Sequence, residues 1–149
     1  MKVKQMMSHP AVVVAEDATL EEVARTMLDH HIGCVPVVDR QGKIVGIITE
    51  SDFAAKEKGL PFSTFRAPQL LGQWIGSDSV ERIYEAARRM KASEIMRTQI
   101  VTVTEEASMN EAVEIMFRHD INRIPVVRDG APVGIVSRHD LLRMIVEQG

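Results

Sequence analysis

Two seven-residue stretches of this 149-residue chain, GIITESD at 46–52 and GIVSRHD at 134–140, carry the same candidate binding groups. Each contains a glycine, then a hydroxyl, and then an aspartate three residues after the hydroxyl. At a strand-to-helix junction, this order brings a hydroxyl, free backbone N–H groups and a carboxylate together. The N–H groups of a helix start suit a phosphate, and a carboxylate can accept two hydrogen bonds from a ribose diol. The stretches therefore contain the groups that a nucleotide site needs.

A structural interpretation of the same residues is a capping box, in which the hydroxyl and the carboxylate bond N–H groups around the first helical turn. Two hydroxyl–glutamate pairs, beginning at Thr19 and Ser108, follow acidic turns and predict ordinary helix starts of this kind. The pairs beginning at Thr49 and Ser137 instead follow a glycine-containing strand, where the missing side chain would let a base or sugar approach. From the residues alone both interpretations remain open, and they are compatible with each other.

The two stretches belong to an internal repeat. VPVVD at 35–39 matches IPVVR at 124–128, which is an offset of 89 residues. After this match the offset falls to 88, because one residue is missing between DRQGK in the first copy and RDGA in the second. Both of these segments predict hairpin turns, where changes of length cost little. The sequence therefore indicates a duplication whose single gap lies in a turn.

Each copy predicts a strand, a helix, two further strands and the start of another helix. In copy one, AVVV at 11–14 predicts a short buried strand, and the helical spacing of apolar residues predicts a helix over 19–30. CVPVV at 34–38 and KIVGIIT at 43–49 are continuous apolar runs, typical of strands covered on both faces. One copy is too small to bury its own surface well, so we expect two copies to share a core.

Two βαββα units with these motifs resemble a tandem pair of CBS domains (cystathionine-β-synthase-type domains), known as a Bateman module. The resemblance implies an α/β fold in which two repeats pack around a pseudo-twofold axis into one compact module. We predict CBS repeat 1 over residues 1–54, an inter-repeat segment over 55–91 and CBS repeat 2 over 92–149. The family also implies a regulatory module that binds AMP, ADP, ATP or S-adenosylmethionine in clefts between the repeats.

The resemblance carries over a main and a second binding site onto this sequence. In the family, basic residues before the apolar-Pro-Val-Val strand often meet phosphate, and the adenine wall comes from the opening of the other repeat. The main site is predicted from Ser8, Pro10, Val12, Asn122, Arg123, Gly134, Ser137, Arg138, His139 and Asp140. The second, weaker site is predicted from Thr98, Ile100, Val101, Gly46, Thr49 and Asp52.

Charge is the reason for preferring the Asp140 site. Copy two has Arg138 and His139 inside the motif, where copy one has Glu50 and Ser51. A guanidinium favours a bound phosphate and a carboxylate disfavours it. An open alternative is that the arginines only form a solvated surface.

The segment between the copies is unusually aromatic for a chain with 4% aromatic residues, since it contains Phe62, Phe65, Trp74 and Tyr84 and directly follows Phe53. Around Pro61 and Pro68 it predicts an ordered loop. Its last part predicts an amphipathic helix with one apolar face, formed by Val80, Ile83, Tyr84, Ala87 and Met90. Packing over the core or in a dimer interface is the favoured role, and a ligand lid is the alternative.

Composition and motifs argue against several other classes of protein. The net charge is −3 without a basic block, which speaks against nucleic acid or acidic membranes as partners. No P-loop, paired catalytic carboxylates or triad indicates an enzyme, so no catalytic residue, catalytic cofactor or metal is predicted. His30 and His119 repeat in register at predicted helix ends, where capping is the simpler role. Cys34 is the single cysteine and predicts a small core residue.

We therefore expect a cytoplasmic, stand-alone sensor that binds an adenosine ligand and modulates an effector protein. The absence of a signal-peptide run and of a long apolar span supports a soluble protein. A homodimer is expected because family modules pair through their helices. The rival hypothesis is a ligand-free structural module for protein–protein interaction, with empty clefts.

Overall fold

The computed structural model describes residues 1–53 and 80–148. The strands are β1 (Val14–Ala15), β2 (Cys34–Val38), β3 (Ile44–Thr49), β4 (Val103–Thr104), β5 (Arg123–Arg128) and β6 (Ala131–Ser137). The helices are α1 (Val3–Met6), α2 (Leu20–Asp29), α3 (Val80–Ala87), α4 (Ala92–Ile95), α5 (Met109–His119) and α6 (Arg138–Gln148), and a 3₁₀ turn spans Glu50–Phe53. None of the described helices is long and apolar enough to cross a membrane.

The strands form two equivalent three-stranded sheets, β1-β2-β3 and β4-β5-β6. In each sheet the first two strands are parallel and the last two are antiparallel. The duplicated α/β architecture predicted from the repeat is therefore confirmed. The predicted strand over 11–14 was wrong for 11–13, because pairing with β2 begins only at Val14 and residues 11 and 12 instead line a cavity.

Helix starts and turns follow the predicted local chemistry. Thr19 forms a reciprocal capping box with Glu22 at the start of α2, and the Ser108 hydroxyl accepts a hydrogen bond from the N–H of Glu111 at the start of α5. In the β5–β6 hairpin, Asp129 and Gly130 both have positive φ, as a tight two-residue turn requires. The gap in the repeat therefore lies in a hairpin turn, as predicted.

The opening helix of each repeat packs into the core of the other repeat. Val3 and Met6 of α1 are fully buried with Val103, Ile124 and other residues of repeat two. In return, Ala92 of α4 is buried in the core of repeat one. Backbone bonds fix this exchange, for example from the N–H of Val3 to the carbonyl of Ala107 at 2.8 Å. The repeats are therefore interlocked through their first helices.

The described part of the inter-repeat segment confirms the predicted helix as α3. Ala87 is buried against Leu20, and the Tyr84 hydroxyl donates a hydrogen bond to the carbonyl of Phe53 at 2.7 Å. Met90 lies beyond the end of the helix. The predicted aromatic loop around Pro61 and Pro68, with Phe62, Phe65 and Trp74, lies outside the described residues.

Candidate functional site

Within residues 1–53 and 80–148, two cavities combine the opening segment of one repeat with the motif strand of the other. The smaller one, of about 220 Å³, lies between the opening segment and helix–strand junction of repeat one and the end of β6. We call it the Asp140 cleft; its lining includes Ser8, Pro10, Val12, His31, Gly33, Arg123, Ile135 and Ser137. Three predicted wall residues and the predicted hydroxyl of repeat two therefore meet in one cavity.

The larger cavity, of about 400 Å³, has the same construction with the repeats exchanged. We call it the Asp52 cleft; its lining includes Thr49, Glu50, Ser51, Arg97, Gln99, Ile100, Val101, Asp120, Asn122 and Arg123. The predicted residues Thr49, Ile100 and Val101 meet here. Thr98 does not line this cavity.

Two antiparallel bridges explain why the clefts cross the repeats. Ser8 exchanges both backbone hydrogen bonds with Ile135 of β6, at 2.8 and 3.0 Å. Arg97 exchanges both with Ile47 of β3, at 3.0 Å each. Each opening segment therefore extends the sheet edge of the other repeat, beside the strand that leads into the motif.

Asp140 is a buried cap at the start of α6. Its side chain accepts bonds at Oδ2 from the N–H of Ser137 at 2.8 Å and from the Ser137 hydroxyl at 3.2 Å. The other oxygen, Oδ1, faces Nη1 of Arg143 at 3.4 Å, which is long for a charge-assisted bond. Because Asp140 is only 3% exposed, it lies behind Ser137 and does not itself line the cavity.

Asp52 has the same cap and a tighter second contact. Oδ2 accepts bonds from the Thr49 N–H at 2.8 Å and from the Thr49 hydroxyl at 3.3 Å. Oδ1 receives both Nε and Nη2 of Arg97, each at 3.0 Å. The capping interpretation of both motifs is therefore correct, whatever else the aspartates do.

The motif glycines do not open space for a ligand, contrary to expectation. A Cβ at Gly134 would lie 2.7 Å from the carbonyl oxygen of Ser8, and one at Gly46 would lie 2.4 Å from the sulfur of Met96. Both glycines are needed because the opening segment of the other repeat packs directly against the strand. Neither glycine lines its cleft.

Three residues predicted for the Asp140 cleft lie elsewhere. Asn122 lines the Asp52 cleft with Thr49 and Ser51, while its carbonyl accepts a hydrogen bond from the N–H of Arg138 in its own repeat. The Arg138 guanidinium lies 3.8 Å from the Asp120 carboxylate and stacks over the ring of Phe117 at 5.6 Å. His139 is exposed and does not line the cavity.

Arg123 borders both clefts. Its Nη2 lies 3.9 Å from Oε1 of Glu50. The pair meets directly above Gly33, where a Cβ would lie 2.1 Å from the same Glu50 oxygen. Arg123 is thus the cation shared by the two cavities, and it already has an anionic neighbour in the Asp52 cleft.

Sequence reasoning missed Arg97 and Gln99, although a signal was available. The wall residues Ser8, Pro10 and Val12, moved by the repeat offset of 89, become Arg97, Gln99 and Val101. The prediction placed the wall at 98, 100 and 101 instead, and so missed the guanidinium that contacts Asp52.

The other reactive side chains have structural environments. Burial raises the pKa of the Cys34 thiol to about 12, which keeps it protonated and poorly nucleophilic. His30 ends α2, with its Nδ1 at 2.9 Å from the carbonyl oxygen of Thr26. Within residues 1–53 and 80–148, no group of three or more His, Cys, Asp or Glu side chains is arranged to hold a metal ion.

Comparison with known proteins gives matches along the whole chain. The uncharacterized protein MJ1426 of Methanocaldococcus jannaschii is 29% identical over 157 residues, covering 98% of this chain and 92% of its own length. The crystal structure of the CBS domain of a CBS-domain-containing membrane protein from Sphaerobacter thermophilus is 46% identical. Its TM-score is 0.74, with coverage of 96% of this chain and 86% of that chain.

A second solved structure is the CBS domain pair of protein MJ0100 in complex with 5′-methylthioadenosine and S-adenosyl-L-methionine. It is 25% identical, covers 100% of this chain and 98% of that chain, and has a TM-score of 0.71. The family model for the CBS domain matches twice, over residues 3–59 and 92–147. These matches span both sheets and both clefts, so the chain belongs to the CBS-domain family, with two repeats forming one pair.

Proposed function

We propose that this protein is a regulatory module that binds an adenosine ligand between its repeats, chiefly in the Asp140 cleft. One observation carries the proposal: the opening segment of repeat one and the Ser137 end of β6 enclose a single cavity. The MJ0100 pair, which shares this fold, binds 5′-methylthioadenosine and S-adenosyl-L-methionine. We therefore assign an adenosine compound as the class of ligand. Titration with AMP, ADP, ATP and S-adenosylmethionine decides which of them binds.

Within the Asp140 cleft, the residues divide by the part of the ligand that they suit. Pro10 and Val12 offer an apolar wall for the base, and Ser8 offers its side-chain hydroxyl beside it, because its backbone groups already bond Ile135. Ser137 presents its hydroxyl at the start of α6, where helix N–H groups favour a phosphate, and Arg123 adds a cation. Asp140 has one oxygen in only a long contact, and we propose that this oxygen accepts the ribose diol after a small opening of the Ser137 turn.

The Asp52 cleft is proposed as the second, weaker site. It has twin hydroxyls at Thr49 and Ser51 and the apolar wall of Ile100 and Val101. However, Glu50 and Asp120 line it as well, and carboxylates disfavour a phosphate.

Ligand binding would act on a partner through the arrangement of the two repeats. A ligand in the Asp140 cleft contacts repeat one at residues 8–12 and 31–34 and repeat two at Ser137, so it ties the repeats together. The exposed helices on the outer surface are where an effector protein or a second copy would sense that change. We propose a homodimer formed through these helices, whose exposed apolar residues are Leu28, Phe117, Leu142, Ile145 and Val146.

The test is calorimetric titration with adenosine, AMP, ADP, ATP and S-adenosylmethionine, with thermal unfolding measured alongside. A ligand that binds only the folded state at a hundredfold excess over Kd adds about 2.7 kcal/mol. At this chain length, each kcal/mol raises Tm by about 2–4 °C. Asp140→Asn keeps the side-chain shape and an acceptor for the Ser137 N–H, but it should remove most of the binding.

Asp52→Asn is the matched control, because it makes the same change in the equivalent cap of the other repeat. It should leave the main binding event in place. If no adenosine compound binds wild-type protein at millimolar concentration, the proposed function is wrong. The ligand-free interaction module is then favoured, since both motif aspartates are already satisfied as caps.

A further inference from the structure

Ser8 and Arg97 occupy equivalent positions in the two clefts. Each exchanges two backbone hydrogen bonds with the strand beside the motif, Ser8 with Ile135 and Arg97 with Ile47. The main chain is therefore held in the same way at both positions. Only the side chain differs: a short hydroxyl faces one cleft and a guanidinium faces the other.

This difference changes what the motif carboxylate has left to offer. At Asp52, Oδ2 is occupied by the Thr49 cap and Oδ1 by Nε and Nη2 of Arg97, both at 3.0 Å. At Asp140, Oδ2 is occupied by the corresponding cap, but Oδ1 has only Nη1 of Arg143 at 3.4 Å. Arg143 reaches Asp140 from within α6, so it does not cross the cleft as Arg97 does.

A ribose diol at Asp52 would have to displace a charge-assisted hydrogen bond from Nε of Arg97 and an ion-pair contact from its Nη2. Charge-assisted bonds are among the stronger hydrogen bonds in proteins. An uncharged nucleoside carries no phosphate or other anion that could pair with the Arg97 guanidinium once the guanidinium has left Asp52. We infer that Arg97 is a specificity-determining residue that closes the Asp52 cleft to an uncharged nucleoside, so that adenosine binds in the Asp140 cleft alone. The inference rests on the proposed function. It explains the proposed difference in affinity between the two clefts by the Arg97–Asp52 contact rather than by overall charge.

The experiment exchanges the two side chains and counts adenosine sites by calorimetry. Wild-type protein should bind one adenosine per chain. Arg97→Ser, which makes the Asp52 cleft resemble the Asp140 cleft, should bind two. Ser8→Arg places a guanidinium in the Asp140 cleft. It should weaken adenosine binding there by about tenfold or more, because the ligand must then break a charge-assisted contact.

Arg128→Ser is the control, because it removes another arginine–carboxylate pair, with two hydrogen bonds to Glu105, away from both clefts. It should leave one adenosine site of unchanged affinity. Arg97→Gln serves as a second variant if Arg97→Ser unfolds, since it keeps a long side chain without the charge. Thermal unfolding of each variant verifies that the fold is intact.

The outcomes separate the inference from the proposed function. Adenosine binding to wild type with two equal sites, or a single site in both folded Arg97 variants, would overturn the role of Arg97 and leave the proposed function standing. If wild-type protein binds AMP or S-adenosylmethionine but does not bind adenosine, this inference is also overturned and the proposed function still stands. Absence of binding by every adenosine compound would overturn both.

Discussion

Gly134 is a residue at which one added carbon should displace the wall of the Asp140 cleft. Its missing Cβ leaves room for the carbonyl of Ser8, a backbone atom that an added methyl would approach to 2.7 Å. Gly134→Ala must therefore push the opening segment away from β6. We expect the free energy of unfolding to fall by about 1–3 kcal/mol, the usual cost of overpacking, as measured by urea denaturation.

Gly33→Ala is the matched control for this prediction. The new methyl would meet the carboxylate of Glu50 and the guanidinium of Arg123, which are the ends of long, exposed side chains. These ends can rotate away, so the substitution should cost much less than Gly134→Ala. Equal losses from the two substitutions would show that backbone contact is not what matters at Gly134.

At the same scale, residue types and spacing were enough to locate the motif aspartates but not their neighbours. The offset of the repeat identified Asp52 and Asp140 as equivalent, and each accepts the same capping hydrogen bond from the N–H three residues before it. The position of Asn122 in the Asp52 cleft could not be predicted. The set of residues that line each cleft depends on packing between residues far apart in the sequence, and spacing along the chain does not report such packing.

At the scale of elements, α1 is the piece whose attachment can be weakened by acid. It has four residues, too few to form an isolated helix in water, so its docking on repeat two must hold it. Outside the core, Lys2 and Lys4 reach Glu106 with Nζ–Oε distances of 2.5 and 2.8 Å. Hydrogen bonds from Lys2 and then Lys4 lower the pKa of Glu106 from 4.5 to about 2.

The sign of the pH dependence follows from that lowered pKa. The folded state holds the ionised carboxylate more tightly than the unfolded state, so the contribution is present above pH 4.5 and is lost as the pH falls towards 2. We expect Glu106→Gln to be less stable than wild type at pH 7 and the difference to vanish towards pH 2. Because all three side chains are exposed, the difference should be small and should shrink in salt.

Urea unfolding of the two proteins across this pH range measures the effect. Glu114→Gln, at an exposed glutamate of α5, is the control and should show no such trend. A difference that stays constant from pH 7 to pH 2 would mean that the ion pairs do not contribute.

The elements also show what the sequence could predict. Helix starts at Thr19 and Ser108 and the turn at Asp129–Gly130 were predictable because their causes are local. The exchange of α1 and α4 between the repeats was not predicted, because no local pattern encodes it; the family resemblance supplied only the crossing of the adenine wall. Strand β1 was predicted too long because Ala11 and Val12 are apolar for the cleft wall, not for a sheet.

For the whole molecule, the exchanged helices imply that neither repeat is complete alone. The core of repeat two includes Val3 and Met6, and that of repeat one includes Ala92. The ligand proposed to bind between the repeats would therefore act on a unit that is already interlocked. Its regulatory effect should come from the outer helices rather than from separation of the two halves.

Those outer helices leave apolar side chains in water. Ile145 and Val146 on α6 are 75% and 77% exposed, and Phe117 on α5 is 73% exposed. Leu28 on α2, the repeat equivalent of Phe117, is exposed to the same extent. Single exposed apolar residues are ordinary, but here the same position is exposed in both repeats. We therefore expect this face to be the one covered in the proposed homodimer.

We expect the protein to sediment at micromolar concentration with twice its chain mass of 16.6 kDa. The double substitution Ile145→Asp and Val146→Asp places two charges where an interface needs apolar contact, and it should shift the population to monomer. Glu147→Gln alters the next residue on the same helix without adding charge, and it should remain a dimer. Since none of these residues lines either cleft, adenosine binding measured on the monomeric variant should persist. A wild-type protein that sediments as a monomer, with or without ligand, would rule out the dimer and leave this face for an effector protein.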